Sequence, residues 1–144
     1  MLSIEDRHGI EELYTRYIWA IDTGDATAWV ESFTNDGVFE ANGMTTSGRV
    51  ALRAWVNTRF TFRMTEPTVN GQHWISNIEG TSNGRRARVR CYFLRTVQVR
   101  ETGEVRLQAS GWFDDELQKV EGAWRIRKRV VSKQLPWVFT KEAE

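Results

Sequence analysis

The chain has little of what staples or chelates a small protein. Its 144 residues include one cysteine, Cys91, which excludes an intrachain disulfide. Its two histidines, His8 and His73, are too few for a closed zinc site. Chemistry without metal or cofactor is therefore expected. No charge of one sign dominates: 20 basic residues stand against 19 acidic ones, a net charge of +1, so no broad field draws the chain to nucleic acid or anionic lipid. Apolar runs are only a few residues long, and the opening MLSIEDRHGIEELY has no basic-then-apolar leader pattern. Neither export nor membrane insertion is expected, and a cytoplasmic location follows. Repeats, low-complexity tracts and linkers are also missing, and the two prolines break little. The length suits one domain, residues 1–144, with one core and at most one pocket.

What is present reads as helices followed by strands. Ser3 and Asp6 resemble a capping box, and Ile10, Leu13, Tyr14, Tyr17, Ile18 and Ile21 recur at helical spacing until DTGD stops the pattern. Asp25 is placed to cap a second short helix, Ala26 to Phe33. Asn35-Asp36-Gly37 then breaks the chain into the extended VFEA. A third helix is expected from Val50 to about Phe60, with Leu52, Trp55, Val56 and Phe60 as its apolar stripe.

The second half reads as four long strands joined by tight turns at Asn83-Gly84, Thr102-Gly103 and Glu121-Gly122. Taking each as a two-residue loop pairs Ser82 with Arg85, Glu101 with Glu104 and Val120 with Ala123. By counting, Tyr92 then faces Ile75 and Phe113, Arg90 faces Asp115, Asp115 faces Lys128, and His73 faces Leu94. The inner face so built holds His73, Ile75, Asn77, Arg90, Tyr92, Leu94, Phe113, Asp115 and Lys128. Asp114, Glu116, Arg125, Arg127 and Arg129 fall on a wet reverse face. Ala87, Val89, Cys91 and Phe93 also fall outside, and their apolar character predicts cover by another subunit of a dimer or trimer.

His73 sits in NGQHWISN on the apolar side, either as a core histidine satisfied by hydrogen bonds or as a proton shuttle near neutral pH. Asp22, in YIWAIDTGD, is either a turn former or the carboxylate that orients the imidazole. Tyr17 and Tyr92 pack or donate a hydrogen bond to a substrate carbonyl. Asn77, Arg90, Phe113 and Trp55 complete the candidate substrate-binding set. Arg90, Asp115 and Lys128 also read as a structural ion cluster. Trp19, Trp29, Trp55 and Trp124 read as core or pocket wall suited to a flat apolar ligand.

Three runs carry a resemblance over nearly the whole chain: IEELYTRYIWAIDTGDATAWVESFTNDGVFE, GQHWISNIEG and GWFDDELQKVEGAWRIRKRVV. They resemble the SnoaL-like branch of the nuclear-transport-factor-2-like superfamily, which includes scytalone dehydratase, bile acid dehydratases and hexachlorocyclohexane dehydrochlorinase. The resemblance implies an α+β cone, three N-terminal helices in the concave face of a strongly curved mixed sheet. It also implies that Asp22 and His73 are the catalytic pair of a cofactor-free lyase or isomerase acting on a small apolar cyclic molecule, with Tyr17 at the position of a bile acid dehydratase tyrosine. The serine and asparagine that scytalone dehydratase carries on its fifth strand correspond here to about Gly111 and Phe113. HWISN and AWRIRKRVV also resemble the small β subunit of aromatic-ring-hydroxylating dioxygenases, which implies a non-catalytic scaffold. A ligand-binding protein without turnover is the third reading.

Overall fold

Ser3 opens the first helix, α1 (Ile4–Thr23), by accepting the Asp6 backbone N–H on its hydroxyl at 3.0 Å. Gly24 ends it in a left-handed conformation, φ 86°, where a side chain would be strained. These elements belong to a computed structural model, which describes residues 1–133. The stretch 134–144, included in the single domain expected from sequence, lies outside the described residues. Asp25 caps α2 (Ala26–Glu31) through the Ala28 N–H at 2.9 Å, as its position suggests. This helix is shorter than expected, because Phe33 already begins β1 (Phe33–Ala41). β2 (Met44–Ser47) and α3 (Arg49–Arg63) follow, then the long strands β3 (Thr68–Ser82), β4 (Arg86–Val99), β5 (Val105–Val120) and β6 (Ala123–Lys133).

The strands form one mixed, curled sheet in the order β2-β1-β6-β5-β4-β3. Among the described residues only the β1–β6 pair is parallel, and it joins the helical half of the chain to the stranded half. The three helices pack on one face, as the α+β expectation has it. Their apolar stripe, Ile10, Leu13, Tyr14, Tyr17 and Ile21, meets Phe33, Phe113, Leu117 and Ile126 in a single core. Trp29 is fully buried at its centre, stacked on Trp55 with ring centroids 5.3 Å apart. Trp124 is also buried, whereas Trp19 is 67% exposed and lines a surface pocket beside Asp22 and His73, the second of its two expected places.

Sheet registers depart from the counted ones for identifiable reasons. Val120 pairs with Ala123 as expected, with Glu121 and Gly122 both at positive φ. At the first hairpin Asn83 does not occupy the turn. Its Oδ1 accepts the Arg85 and Arg86 N–H groups, Gly84 takes the left-handed position, and Ser82 pairs with Ala87 instead of Arg85. At the second, the Val99 N–H bonds to the Glu104 carbonyl around a longer loop, so Glu101 does not face Glu104. Register shifts then follow between Ser76 and Glu79, between Arg95 and Thr96, and between Glu116 and Leu117. Each admits one extra residue on one strand and exchanges the faces beyond it.

The exchange corrects several expectations. Ala87, Val89, Cys91 and Phe93 face the helices and are buried, so their apolar character reflects the core and not a subunit contact. Tyr92 and Leu94 point outward on the convex face instead, 53% and 45% exposed, with Tyr92 opposite Ser76 and Trp112. Arg90 also lies outside, with its guanidinium on Glu79 at 2.5 Å. Asp115 is inside as expected, but it faces Arg129, while Lys128 pairs with Glu40 at 3.1 Å. The expected Arg90–Asp115–Lys128 cluster therefore does not form. His73 faces Arg95, not Leu94.

Candidate active site

The last turn of α1 and the first half of β3 bring Asp22 and His73 together. One carboxylate oxygen of Asp22 accepts the His73 backbone N–H at 2.8 Å, and the other lies 2.5 Å from the imidazole Nδ1. Both side chains are largely covered, 12% and 15% exposed. With both Asp22 oxygens engaged, the imidazole is fixed in position. Nδ1 is the nitrogen aimed at the carboxylate, and Nε2 has no hydrogen-bond partner among the described residues.

His73 lines a cavity of about 660 Å³ between the sheet and the helices. Tyr17, Phe39, Trp55, Phe93, Phe113 and Val131 give it an apolar end. Arg59, Arg63, Glu66 and Arg95 give it a charged one, and Gln108 and Ser110 add polar groups. Arg63 is anchored by donating from Nη1 to the Ile21 carbonyl at 2.5 Å, at the negative end of α1. Burial pushes the Arg63 and Arg95 guanidiniums below the usual arginine range. The nearby Arg95 adds to the effect at Arg63, whereas Asp22 opposes it at both.

Beneath the apolar wall lies a second polar cluster. Asp115 binds Arg129 bidentately, Nε to Oδ1 at 2.8 Å and Nη2 to Oδ2 at 2.6 Å, and the Tyr14 hydroxyl donates a short hydrogen bond to Oδ2. The Arg129 guanidinium lies 4.2 Å from the Tyr17 ring centroid and 4.1 Å from that of Phe113, so both cavity-wall rings rest on it. Burial alone would lower the arginine's pKa, and the Asp115 carboxylate more than reverses this, holding it well above its ordinary value. Burial likewise pushes the Tyr17 phenol up, with Arg129 opposing, which keeps the phenol a hydrogen-bond donor at neutral pH.

Of the candidate residues read from the sequence, Tyr17, Trp55, His73 and Phe113 line one cavity, and Asp22 touches it through His73. Tyr92 and Arg90 do not, because the register shifts place them on the convex face. Asn77 does not either. It is exposed, with φ 56° inside the irregularity between Ser76 and Glu79. Sequence reasoning missed Arg59, Arg63 and Arg95. Arg95 was recoverable from simple alternation with buried Phe93, whereas Arg63 lies three residues past the expected end of its helix. Among the described residues no group of three or more His, Cys, Asp or Glu could hold a metal ion. No helix among them is long and apolar enough to cross a membrane.

A curled mixed sheet, helices on its concave face and an Asp–His contact at the cavity wall define a class of small α+β pocket proteins. Residues 2–130 match the SnoaL-like domain model, and the chain belongs to that family. No curated protein matches its sequence. It is similar to a solved Mycobacterium tuberculosis protein of unknown function, at 28% identity and a TM-score of 0.76, covering 88% of this chain and 70% of that one. Two proteins from Novosphingobium aromaticivorans share the fold. A candidate aromatic ring hydroxylase has 24% identity and a TM-score of 0.77, covering 94% of each chain. A candidate scytalone dehydratase has 20% identity and a TM-score of 0.75, covering 90% and 84%. The family fold supports a function of the dehydratase or isomerase type, or ligand binding.

Proposed function

We propose that the chain is a cofactor-independent lyase or isomerase acting on a small, largely apolar cyclic substrate. The observation that carries this reading is the double engagement of His73 by Asp22, which leaves Nε2 unpartnered on a residue that lines the cavity. In this reading Nε2 removes a proton from carbon next to a carbonyl, and Asp22 stabilises the imidazolium that forms. The leaving group, a hydroxyl or its equivalent, departs with the electron pair, or the double bond shifts and the proton returns at another carbon. Tyr17, held protonated by burial, is the cavity group suited to donate to the enolate oxygen.

A panel of cyclic β-hydroxy ketones in deuterated water tests it, with enone formation followed by ultraviolet absorbance and α-carbon exchange by NMR. His73→Ala should lower the rate by roughly 10²–10⁴-fold with the circular dichroism unchanged. Full activity in that variant would refute the dyad. The scaffold reading predicts instead that the chain co-purifies with a larger iron–sulfur subunit and shows no turnover. An imidazole nitrogen without a partner among the described residues, on a side chain that lines a cavity, favours the enzyme, because a scaffold has no use for it. We also propose a homo-oligomer formed through the convex strip of Trp74, Tyr92 and Leu94, exposed apolar side chains on one sheet face.

A further inference from the structure

The charged end of the cavity carries more arginines than acids. Arg59, Arg63 and Arg95 line it, and no ion pair to any of the three forms among the described residues. Lys133 also lines the cavity, and Glu66 is the only acid on its wall among the described residues. Asp22 lies close by, but both of its oxygens are taken by His73. The Nε atoms of Arg63 and Arg95 are buried and have no hydrogen-bond partner among the described residues. Native structures rarely leave such donors unmade.

Position makes these arginines a recognition element and not a random surface charge. Arg95 is the direct cross-strand partner of His73. Its guanidinium lies against the backbone of Gly71, where a Cβ would stand 2.0 Å from Nη2, so the strand leaves room for it two residues before the imidazole. Arg63 is tied to the Ile21 carbonyl, one residue before Asp22. Arg63 is thus tied to α1 and Arg95 lies against β3, the two elements that carry the dyad. Partly buried guanidinium groups so placed suit a planar oxyanion, which can take two N–H donors at once.

We infer that the substrate is a carboxylic acid whose carboxylate is bound by Arg95 and Arg63 while its apolar ring lies against Trp55, Phe93 and Phe113. The inference rests on the lyase reading for the word substrate and deepens it. The carboxylate is a handle that fixes the ring relative to Nε2 of His73, and it is not the group that acidifies the carbon. Binding energy from such a remote group orients the reacting atoms.

Isothermal titration of the full chain with 2-naphthoate and with cyclohexanecarboxylate, each against its neutral carboxamide, tests the assignment at a pH where the acids are ionised. Each acid should bind roughly 10- to 100-fold more tightly than its amide, the range of charge-assisted hydrogen bonds. Arg95→Gln should bring the two affinities together, the acid losing more than its amide, and Arg95→Lys should keep part of the preference. The acids failing to outbind their amides in the wild-type protein would overturn the inference, and so would a preference that survives in both Arg95→Gln and Arg63→Gln. The wild-type comparison decides even where a variant fails to fold. A protein that selects acids but turns over no substrate leaves this assignment standing and removes the lyase reading. A protein that turns over neutral ketones and ignores the acids does the reverse.

Discussion

Replacing Arg129 by methionine isolates the energetics of the buried cluster. The side chain is fully buried, and the change removes two charge-assisted hydrogen bonds to Asp115 and the cation under Tyr17 and Phe113. Methionine refills most of the volume, so the dominant effect is a carboxylate left buried with one neutral partner, the Tyr14 hydroxyl. Breaking a buried pair from one side costs about 3–5 kcal/mol. For a chain of this size each kcal/mol moves the midpoint by roughly 2–4 °C, so the melting temperature should fall on the order of 10 °C. Urea unfolding of Arg129→Met, Asp115→Leu and the double variant completes the cycle. The double variant should recover most of the loss, because an apolar replacement of both partners leaves no stranded charge. A single-variant loss under about 1 kcal/mol, or losses that simply add, would refute the view of a coupled buried pair.

Cys91 is buried, and burial pushes its thiol up to about 12. Native protein should therefore not react with a disulfide reagent at mildly alkaline pH, and labelling should follow unfolding. Because the folded value exceeds the unfolded one, roughly 8.5, this group's contribution to stability is whole below that pH and falls as pH climbs toward 12. Asn77 holds φ 56° in the irregularity that turns His73 toward the cavity. Asn77→Val should cost about 1–2 kcal/mol in denaturant unfolding, and Asn77→Gly should be nearly neutral. Equal effects would show that the left-handed backbone is not what matters there. For the convex strip, light scattering should report an oligomer that Leu94→Glu reduces to monomers. A monomeric wild type at high concentration ends that proposal.

The helices and the class of fold were legible because capping and periodicity act locally. Ser3, Asp25 and Gly24 each do in the structure what their residue type suggests. The sheet faces were harder, because register counted from a turn carries every turn error along the whole strand. Asn83 served as a side-chain acceptor and not as a turn residue, and four single-residue insertions left no mark in composition. The alternation Ala87, Val89, Cys91, Phe93 against Arg88, Arg90, Tyr92, Leu94 already told which face is buried, and it outweighs the turn count. His73 reached the inner face in the counted register, yet its true neighbour, Arg95, was displaced by one position. Arg129 was lost to the wet face by the same slip, because a lone arginine among Arg125 and Arg127 looks like surface.

The contact between Asp22 and His73 also has a mechanical meaning. It spans 51 positions of sequence, and the segment it closes contains α2, β1, β2 and α3, the source of Phe39, Trp55, Arg59 and Arg63 on the cavity wall. A contact across so long a loop fixes these four wall residues relative to the imidazole, and the parallel pairing of β1 with β6 is a second tie on the same segment.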